Sequence, residues 1–369
     1  MRQEVEAYVR LLIVEVEKFD PLFRNDLICS GSYYEQTRIG VPNEFDYMIN
    51  LTGIQLLCNF IDGISDPSGY GRLYPLSTDE AREKLHAYLE PITQCVSSTK
   101  VRTQFYKLLT SARALVIRQE IVKQFKHLKF EWTSGDKRCG TAIHAEWYGS
   151  QYACLTIKID VVPCLTVYRW PRTAKIACPL AKPEFQIIAR SPKSDQSHLW
   201  RISTSRTELV DFLSLTDERK DAYLILKILR YINPYENRIE NVIYTSEELL
   251  TSYMLKTEFL HEISRYPQRQ QWINGGLIHR VASILKRLHR HVQHGLIPSF
   301  YIENYNVIDG DDYARLRSFE IKYVRTLLKQ VQEKARMIDR KLIRSQTFSA
   351  SETIEPNLPL RLRAVTNNF

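Results

Sequence analysis

Gly31-Ser32-Tyr33-Tyr34-Glu35-Gln36-Thr37-Arg38-Ile39-Gly40-Val41-Pro42-Asn43-Glu44-Phe45-Asp46 is the stretch on which the reading of this chain turns. A Gly-Ser pair marks a tight turn. An Asn-Glu-Phe-Asp segment then leads into the apolar run Tyr47-Met48-Ile49-Asn50-Leu51. In a strand, alternation places Phe45, Tyr47, Ile49 and Leu51 on the core face and projects Glu44 and Asp46 together from the other. Two convergent carboxylates repel unless a cation joins them. Magnesium takes hard oxygen ligands and a substrate's phosphates, so it is the natural partner. The backbone N–H groups and hydroxyl of a Gly-Ser turn suit phosphate oxygens.

Working outward, Tyr152 to Val162 reads as a second strand. Leu155, Ile157 and Ile159 alternate as a buried face, leaving Thr156, Lys158 and Asp160 on the other. Asp160 completes a carboxylate triad with Glu44 and Asp46. Such a triad can hold two metals, one activating an attacking hydroxyl and one neutralising a triphosphate. In-line nucleotidyl transfer needs mostly that positioning and neutralisation. A lone Gly-Ser or Glu-x-Asp is a weak signal, because acidic strand residues often just face water. The turn, the spacing and Asp160 together point to nucleotidyltransferase chemistry.

With 369 residues and 44% hydrophobic content, the chain can bury a sizeable core. Its net charge of +9 favours a polyanionic partner: nucleic acid, nucleotide or an anionic membrane surface. The seven cysteines are odd in number, irregularly spaced and without a C-x-x-C pair, which fits a reducing compartment. They form no zinc pattern with the nine histidines. The N-terminus reads as neither signal peptide nor anchor, and no apolar run reaches the ~20 residues of a membrane span. A cytoplasmic protein is the expectation.

Helical spacing covers residues 3–19, through Val5, Val9, Leu12 and Val16, and Pro21 stops it. Residues 79–90 and 98–128 read as helices and 129–170 as β runs. The Pro-rich stretch 163–192 reads as loops and edge segments. From about residue 207 helices dominate, at 206–214, 217–232, 246–263, 274–294 and 310–343. The fold class is therefore α+β, a mixed lobe with a central β-sheet followed by an all-helical lobe.

The ordered set of segments is specific. Gly31-Ser32-Tyr33-Tyr34-Glu35 and Pro42-Asn43-Glu44-Phe45-Asp46 come first. Trp200-Arg201-Ile202-Ser203-Thr204-Ser205, the helix around Lys227, Thr251-Ser252-Tyr253-Met254-Leu255-Lys256-Thr257 and Pro298-Ser299-Phe300-Tyr301-Ile302 follow. Over about residues 1–340 this set resembles the cyclic GMP-AMP synthase-like receptors of the Mab family. The resemblance implies a bilobal nucleotidyltransferase fold: a catalytic lobe with its N-terminal helix at 1–200, a helical Mab-type lobe at 201–344 and a flexible tail at 345–369. It implies a synthase that joins ATP, GTP or other nucleoside triphosphates into a cyclic dinucleotide, a second messenger of innate immunity. Synthesis would start when double-stranded nucleic acid or another ligand reshapes the site, with a dimer possible on ligand binding.

By position, Glu44, Asp46 and Asp160 would bind two magnesium or manganese ions, and Gly31 and Ser32 would hold triphosphate oxygens. Arg201 would contact a base or phosphate with help from Ser203 and Ser205. Lys227 and Ser252 would bind phosphate, and Tyr253 would stack on a base. Read by themselves, Lys227 is a lysine snorkelling from an apolar helix, Tyr253 a core aromatic and Arg201 an ion-pair residue. Two departures stand out. Thr204 to Lys227 contains no His or Cys, whereas vertebrate relatives carry a His/Cys-rich zinc insertion there that grips DNA, so no zinc site is expected. Val162 replaces a base-reading Thr, leaving the product's bases open.

Residues 100–129 hold eight Lys/Arg against the single acid Glu120. Lys100, Arg102, Lys107, Arg113, Lys123 and Lys126 read as an exposed stripe able to neutralise a row of phosphates. Lys286, Arg287 and Arg290 add cations in the second lobe. Without the zinc insertion, double-stranded RNA, read by shape and backbone, is favoured over DNA as the activator. The competing readings are a DNA-activated synthase, a catalytically inert Mab-type interaction protein and a linear oligonucleotide synthase.

Overall fold

The computed structural model describes residues 1–348 except 64–65, 120, 138–139, 179, 193, 233–235, 240–241, 246–249, 274–275 and 309–312. Among the described residues nine strands form one mixed sheet. Its order is β1 (Asp26–Ser30), β2 (Glu44–Asn50), β7 (Leu155–Val167), β8 (Phe185–Ile188), β9 (Leu199–Ser203), β4 (Tyr70–Pro75) and β3 (Cys58–Asp62). A hairpin of β5 (Leu128–Lys137) and β6 (Gly140–Trp147) joins through β6 to Leu155–Val161 of β7. β2 and β7 run parallel, the other pairs antiparallel.

One face of the sheet is packed by α1 (Arg2–Phe19) and α5 (Ser98–Arg118). Between them in the chain lie the short helices α2 (Gly31–Tyr34), α3 (Thr52–Gln55) and α4 (Asp79–Leu85). The apolar stripes of α1 and α5, Val5, Val9 and Leu12 on one and Val101, Phe105 and Leu109 on the other, are buried with Phe45, Ile157 and Ile159. Tyr8 stacks on Phe130 with ring centroids 3.9 Å apart. Ser97 caps α5 by accepting from the Lys100 N–H. The helix ends at Arg118 rather than continuing to 128, and Phe125 and Leu128 enter the core on a backbone that has left helical spacing.

The Pro-rich stretch is not made only of loops and edge segments, and the sequence expectation is corrected on this point. Phe185–Ile188 is an interior strand between β7 and β9, with Pro183 and Pro192 outside it. Pro163 lies inside β7, between Val161, the last residue paired to β6, and Cys164, the first paired to β8. Its missing N–H therefore falls where that edge changes partner.

The helical lobe contains α6 (Ser205–Leu213), α7 (Asp217–Ile232), α8 (Ser252–Arg265), α9 (Gly276–His294) and α10 (Tyr313–Phe348). A hairpin, β10 (Glu236–Ile239) and β11 (Val242–Thr245), follows α7 and departs from the expected all-helical lobe. The boundary drawn at 200/201 falls within β9. α10 extends four residues past 344, and the rest of the expected tail lies outside the described residues. Arg287, read as a surface cation, is buried and pairs with Glu258 and Glu262 at 2.6 Å each.

Glu320 on α10 is 2% exposed, and its Oε2 finds no hydrogen-bond partner among the described residues. Burial pushes its carboxyl up to about 8. The folded chain then keeps a proton there that the unfolded chain releases above the ordinary glutamate range. Stability should therefore fall as pH rises from about 4.5 to 8. Glu320→Gln should flatten that decline and stabilise the protein at pH 8 by on the order of 2 kcal/mol. Chemical denaturation of both proteins at pH 5 and pH 8 measures it, and equal pH dependence would show that Glu320 ionises normally.

Candidate active site

The parallel register sets Glu44 beside Lys158 and Asp46 beside Asp160, while Ser30 of β1 pairs with Asp46 from the other edge. Period-two alternation then projects Glu44, Asp46, Lys158 and Asp160 from one face. Glu44, Asp46 and Asp160 each offer a carboxylate oxygen within 4.8 Å of the other two. Burial, with Glu44 and Asp160 adding like charge, pushes Asp46 up to about 7. Lys158 opposes the shift, but burial and the two neighbouring carboxylates outweigh it. The donor set is all hard oxygen, without sulfur or imidazole, and it fits magnesium or manganese.

A short helix, α2 (Gly31–Tyr34), starts where β1 ends. Gly31 has φ +78°, and a Cβ on it would lie 2.0 Å from Asp46 Oδ2. Only glycine lets the turn approach that carboxylate so closely. Arg38 fastens the loop leading into β2, donating to the Val41 carbonyl at 2.8 Å, the Glu44 carbonyl at 2.7 Å and Asn43 Oδ1. The Lys158 N–H donates to the Asn43 carbonyl at 2.7 Å, which locks the same loop to β7.

These elements border a cleft of ≈ 410 Å³ between the lobes. Gly31, Ser32, Glu44 and Asp46 form one wall, Arg201, Ser203 and Ser205 another, and Ser252 and Tyr253 a third. The Arg201 guanidinium lies 6.0 Å from the Tyr253 ring centre and 5.8 Å from that of Tyr305. The Ser203 and Ser205 hydroxyls are 2.7 Å apart. Val162 also lines the cleft.

Lys227 is placed differently from the sequence expectation. It lies behind the turn, 4% exposed, and donates to the Thr37 carbonyl at 2.7 Å. Burial, aided by Arg230, lowers it to about 8. Lys256, given no role by sequence reasoning, reaches the cleft and lies between Glu35 Oε1 at 2.7 Å and Glu208 Oε2 at 3.0 Å. Burial opposes its charge, but Glu208 and Glu35 more than offset that and hold it well above the ordinary lysine range. Its signal is present in the sequence, since Lys256 is one helical turn from Ser252. Arg38 and Lys158 are missed as well, although alternation already puts Lys158 on the acidic face.

The basic stripe is narrower than expected. Lys100, Lys107 and Arg118 are exposed along one line of α5, and Lys123 and Lys126 are exposed beyond it. Arg102 is half-buried on another side. Arg113 is a correction: it is 4% exposed and lies against Tyr8, because it shares a helix face with Leu109, Ala112 and Val116. Among the described residues no helix is long and apolar enough to cross a membrane.

Residues 33–210 match the Mab-21 protein nucleotidyltransferase domain, and residues 218–335 match the Mab-21 protein HhH/H2TH-like domain. The chain is 25% identical over 320 residues to a cyclic GMP-AMP synthase-like receptor of Aethina tumida, covering 83% of this chain and 76% of the relative. It is 24% identical over 366 residues to the cyclic GMP-AMP synthase of Mus musculus, covering 88% of this chain and 65% of that protein.

Gly31→Ala should force the turn away from Asp46, weakening manganese binding at least tenfold. Placing a Cβ at positive φ should also lower stability by about 1–2 kcal/mol. Manganese titration and urea denaturation measure the two effects. Unchanged manganese affinity would mean that the turn does not position Asp46.

Proposed function

Because the chain belongs to the Mab-21 family, with that family's nucleotidyltransferase domain followed by its helical C-terminal domain, we propose that it is a ligand-activated synthase. It joins ATP, GTP or related nucleoside triphosphates into a cyclic dinucleotide signal in the cytoplasm, serving innate immune sensing. The observation that carries this reading is the carboxylate triad, two of whose members, Glu44 and Asp46, line one cleft with the Gly31-Ser32 turn. The intact triad favours an enzyme over an inert interaction protein.

Glu44, Asp46 and Asp160 would hold two divalent metals, which supply hydroxyl activation and triphosphate neutralisation. The backbone at Gly31 and the Ser32 hydroxyl bind triphosphate oxygens. Ser252 donates to phosphate from the opposite wall, and Arg201 contacts phosphate or base beside the Ser203–Ser205 hydroxyl pair. Tyr253 offers a ring for base stacking, worth ~1–3 kcal/mol. Lys227 acts through the turn, holding the Thr37 carbonyl behind it.

The activating ligand is double-stranded RNA bound along the exposed cations of α5 and the segment after it. Duplex RNA is read largely through shape and backbone, which spaced lysines and arginines can serve.

The test of the reaction is incubation of the pure protein with labelled ATP, GTP, CTP and UTP, manganese or magnesium, and long duplex RNA or DNA. A cyclic dinucleotide should form with RNA. Asp46→Asn and Asp160→Asn should each cut product at least a hundredfold while circular dichroism stays unchanged. Wild-type yields from the double variant would remove the site, a linear product would replace the reaction, and activation by DNA alone would replace the ligand.

Charge reversal of Lys107, Arg118 and Lys126 to Glu should abolish RNA activation and flatten the salt dependence of RNA binding, because fewer counterions are released. Nucleotide affinity of the resting protein should stay near normal, since the cleft lies on other elements. An unchanged salt slope would show a merely solvated helix face.

A further inference from the structure

Lys158 has no part in nucleotide binding or transfer as proposed, yet its side chain lies inside the acidic cluster. Its Nζ bonds Glu44 Oε1 and lies 2.8 Å from Asp160 Oδ2. Strand register dictates this position. Lys158 is the direct cross-strand partner of Glu44, and it stands two residues before Asp160 on the same face of β7. The ammonium therefore bridges the outer and inner carboxylates that would hold divalent cations.

An ammonium and a divalent cation cannot share these oxygens at low cost. Like charges a few ångströms apart repel strongly in a partly desolvated site. Fully ionised, as metal ligands, the three carboxylates carry three negative charges, and a lysine among them leaves two for an incoming metal. With its side chain 34% exposed, Lys158 has a path to water when displaced. Its flexible four-carbon stem lets the head group leave without moving β7.

We propose that Lys158 is a built-in counter-ion of the triad, which divalent cations must displace, so that this one residue sets the metal requirement of the site. In the resting protein it neutralises Glu44 and Asp160 and keeps the triad closed to metal at low concentration. Metal arriving with the triphosphate brings enough favourable interaction to expel it. Loading of metal and substrate is thereby coupled without any contact between Lys158 and the activating ligand. The inference rests on the triad being the metal site, and the following experiment separates the two.

Manganese binding to the nucleotide-free protein is followed by the loss of the free-ion electron paramagnetic resonance signal. Lys158→Met and Lys158→Gln should each bind manganese about tenfold more tightly than the wild type. Lys158→Arg keeps the charge and should stay within about twofold of it. Asp160→Asn should bind at least tenfold more weakly. Melting in EDTA provides a second readout: Lys158→Met should melt below the wild type, and its rise on adding manganese should be larger. If Asp160→Asn weakens binding while Lys158→Met does not tighten it, the counter-ion role is overturned and the metal site stands. If Asp160→Asn leaves binding unchanged, the metal site itself is wrong and the inference falls with it.

Discussion

Everything at the site depends on the parallel register between β2 and β7. Asp46 faces Asp160, and Glu44 faces Lys158, only in that one alignment. The polar face contributes little, because repulsion among its three carboxylates offsets the Lys158 ion pairs with Glu44 and Asp160. The opposite face does: Phe45, Tyr47 and Ile49 of β2 and Ile157, Ile159 and Val161 of β7 are all essentially fully buried. Each contributes about 1.5–3 kcal/mol by leaving water. A one-residue slip would turn this apolar set into the cleft and the acids into the core. The hydrophobic face thus enforces the close approach of three carboxylates that one lysine only partly neutralises. β6 pins β7 from its other edge, so the strand has nowhere to slide.

The second constraint ties the turn to the helical lobe. Lys256 from α8 sits between Glu35, just past α2, and Glu208 of α6. Thr204 donates to Glu208, and Lys227 of α7 holds the Thr37 carbonyl. Glu35 and Glu208 are 2% and 4% exposed, and burying a carboxylate is costly unless it is paired, as Lys256 pairs both. Losing one partner of such a buried set typically costs about 3–5 kcal/mol, while the intact set adds little net stability. Its use is geometric. It fixes where the Gly-Ser turn stands relative to Tyr253, which lies three residues before Lys256 on α8.

The legible parts of the sequence are those with a strict period or a unique conformational demand. Alternation through Phe45–Leu51 and Leu155–Ile159 places the carboxylates, and Gly31 announces a turn that no other residue could make so close to Asp46. The helices of the second lobe are legible for the same reason. Tertiary context hides the rest. Phe185–Ile188 is too short to show a period, and its flanking prolines mimic a loop. Arg113 reads as a surface cation by type, although it shares a helix face with Leu109, Ala112 and Val116, and the packing of α1 over α5 buries it. Lys256 and Glu208 lie far apart in sequence, and neither residue alone signals that it will meet the other.

The same difference separates the two halves of the functional reading. A net charge of +9 suggests a broad basic surface. Yet Arg113, Lys227, Arg230 and Arg287 are each under 10% exposed, and Lys256 is committed to two carboxylates. Composition counts those cations but cannot place them. The surface left to a polyanion is narrower, a line on α5 continued past its end. Backbone recognition tolerates such imprecision, since phosphates repeat and long side chains reach. Metal-assisted transfer does not, because misplacing a group by about 1 Å can cost a hundredfold in rate. Chemistry that demands close placement leaves ordered, spaced residues in the sequence, whereas binding that demands only charge leaves a composition. The catalytic half is therefore legible in the order and spacing of residues, and the activator half depends on where the folded chain leaves its cations.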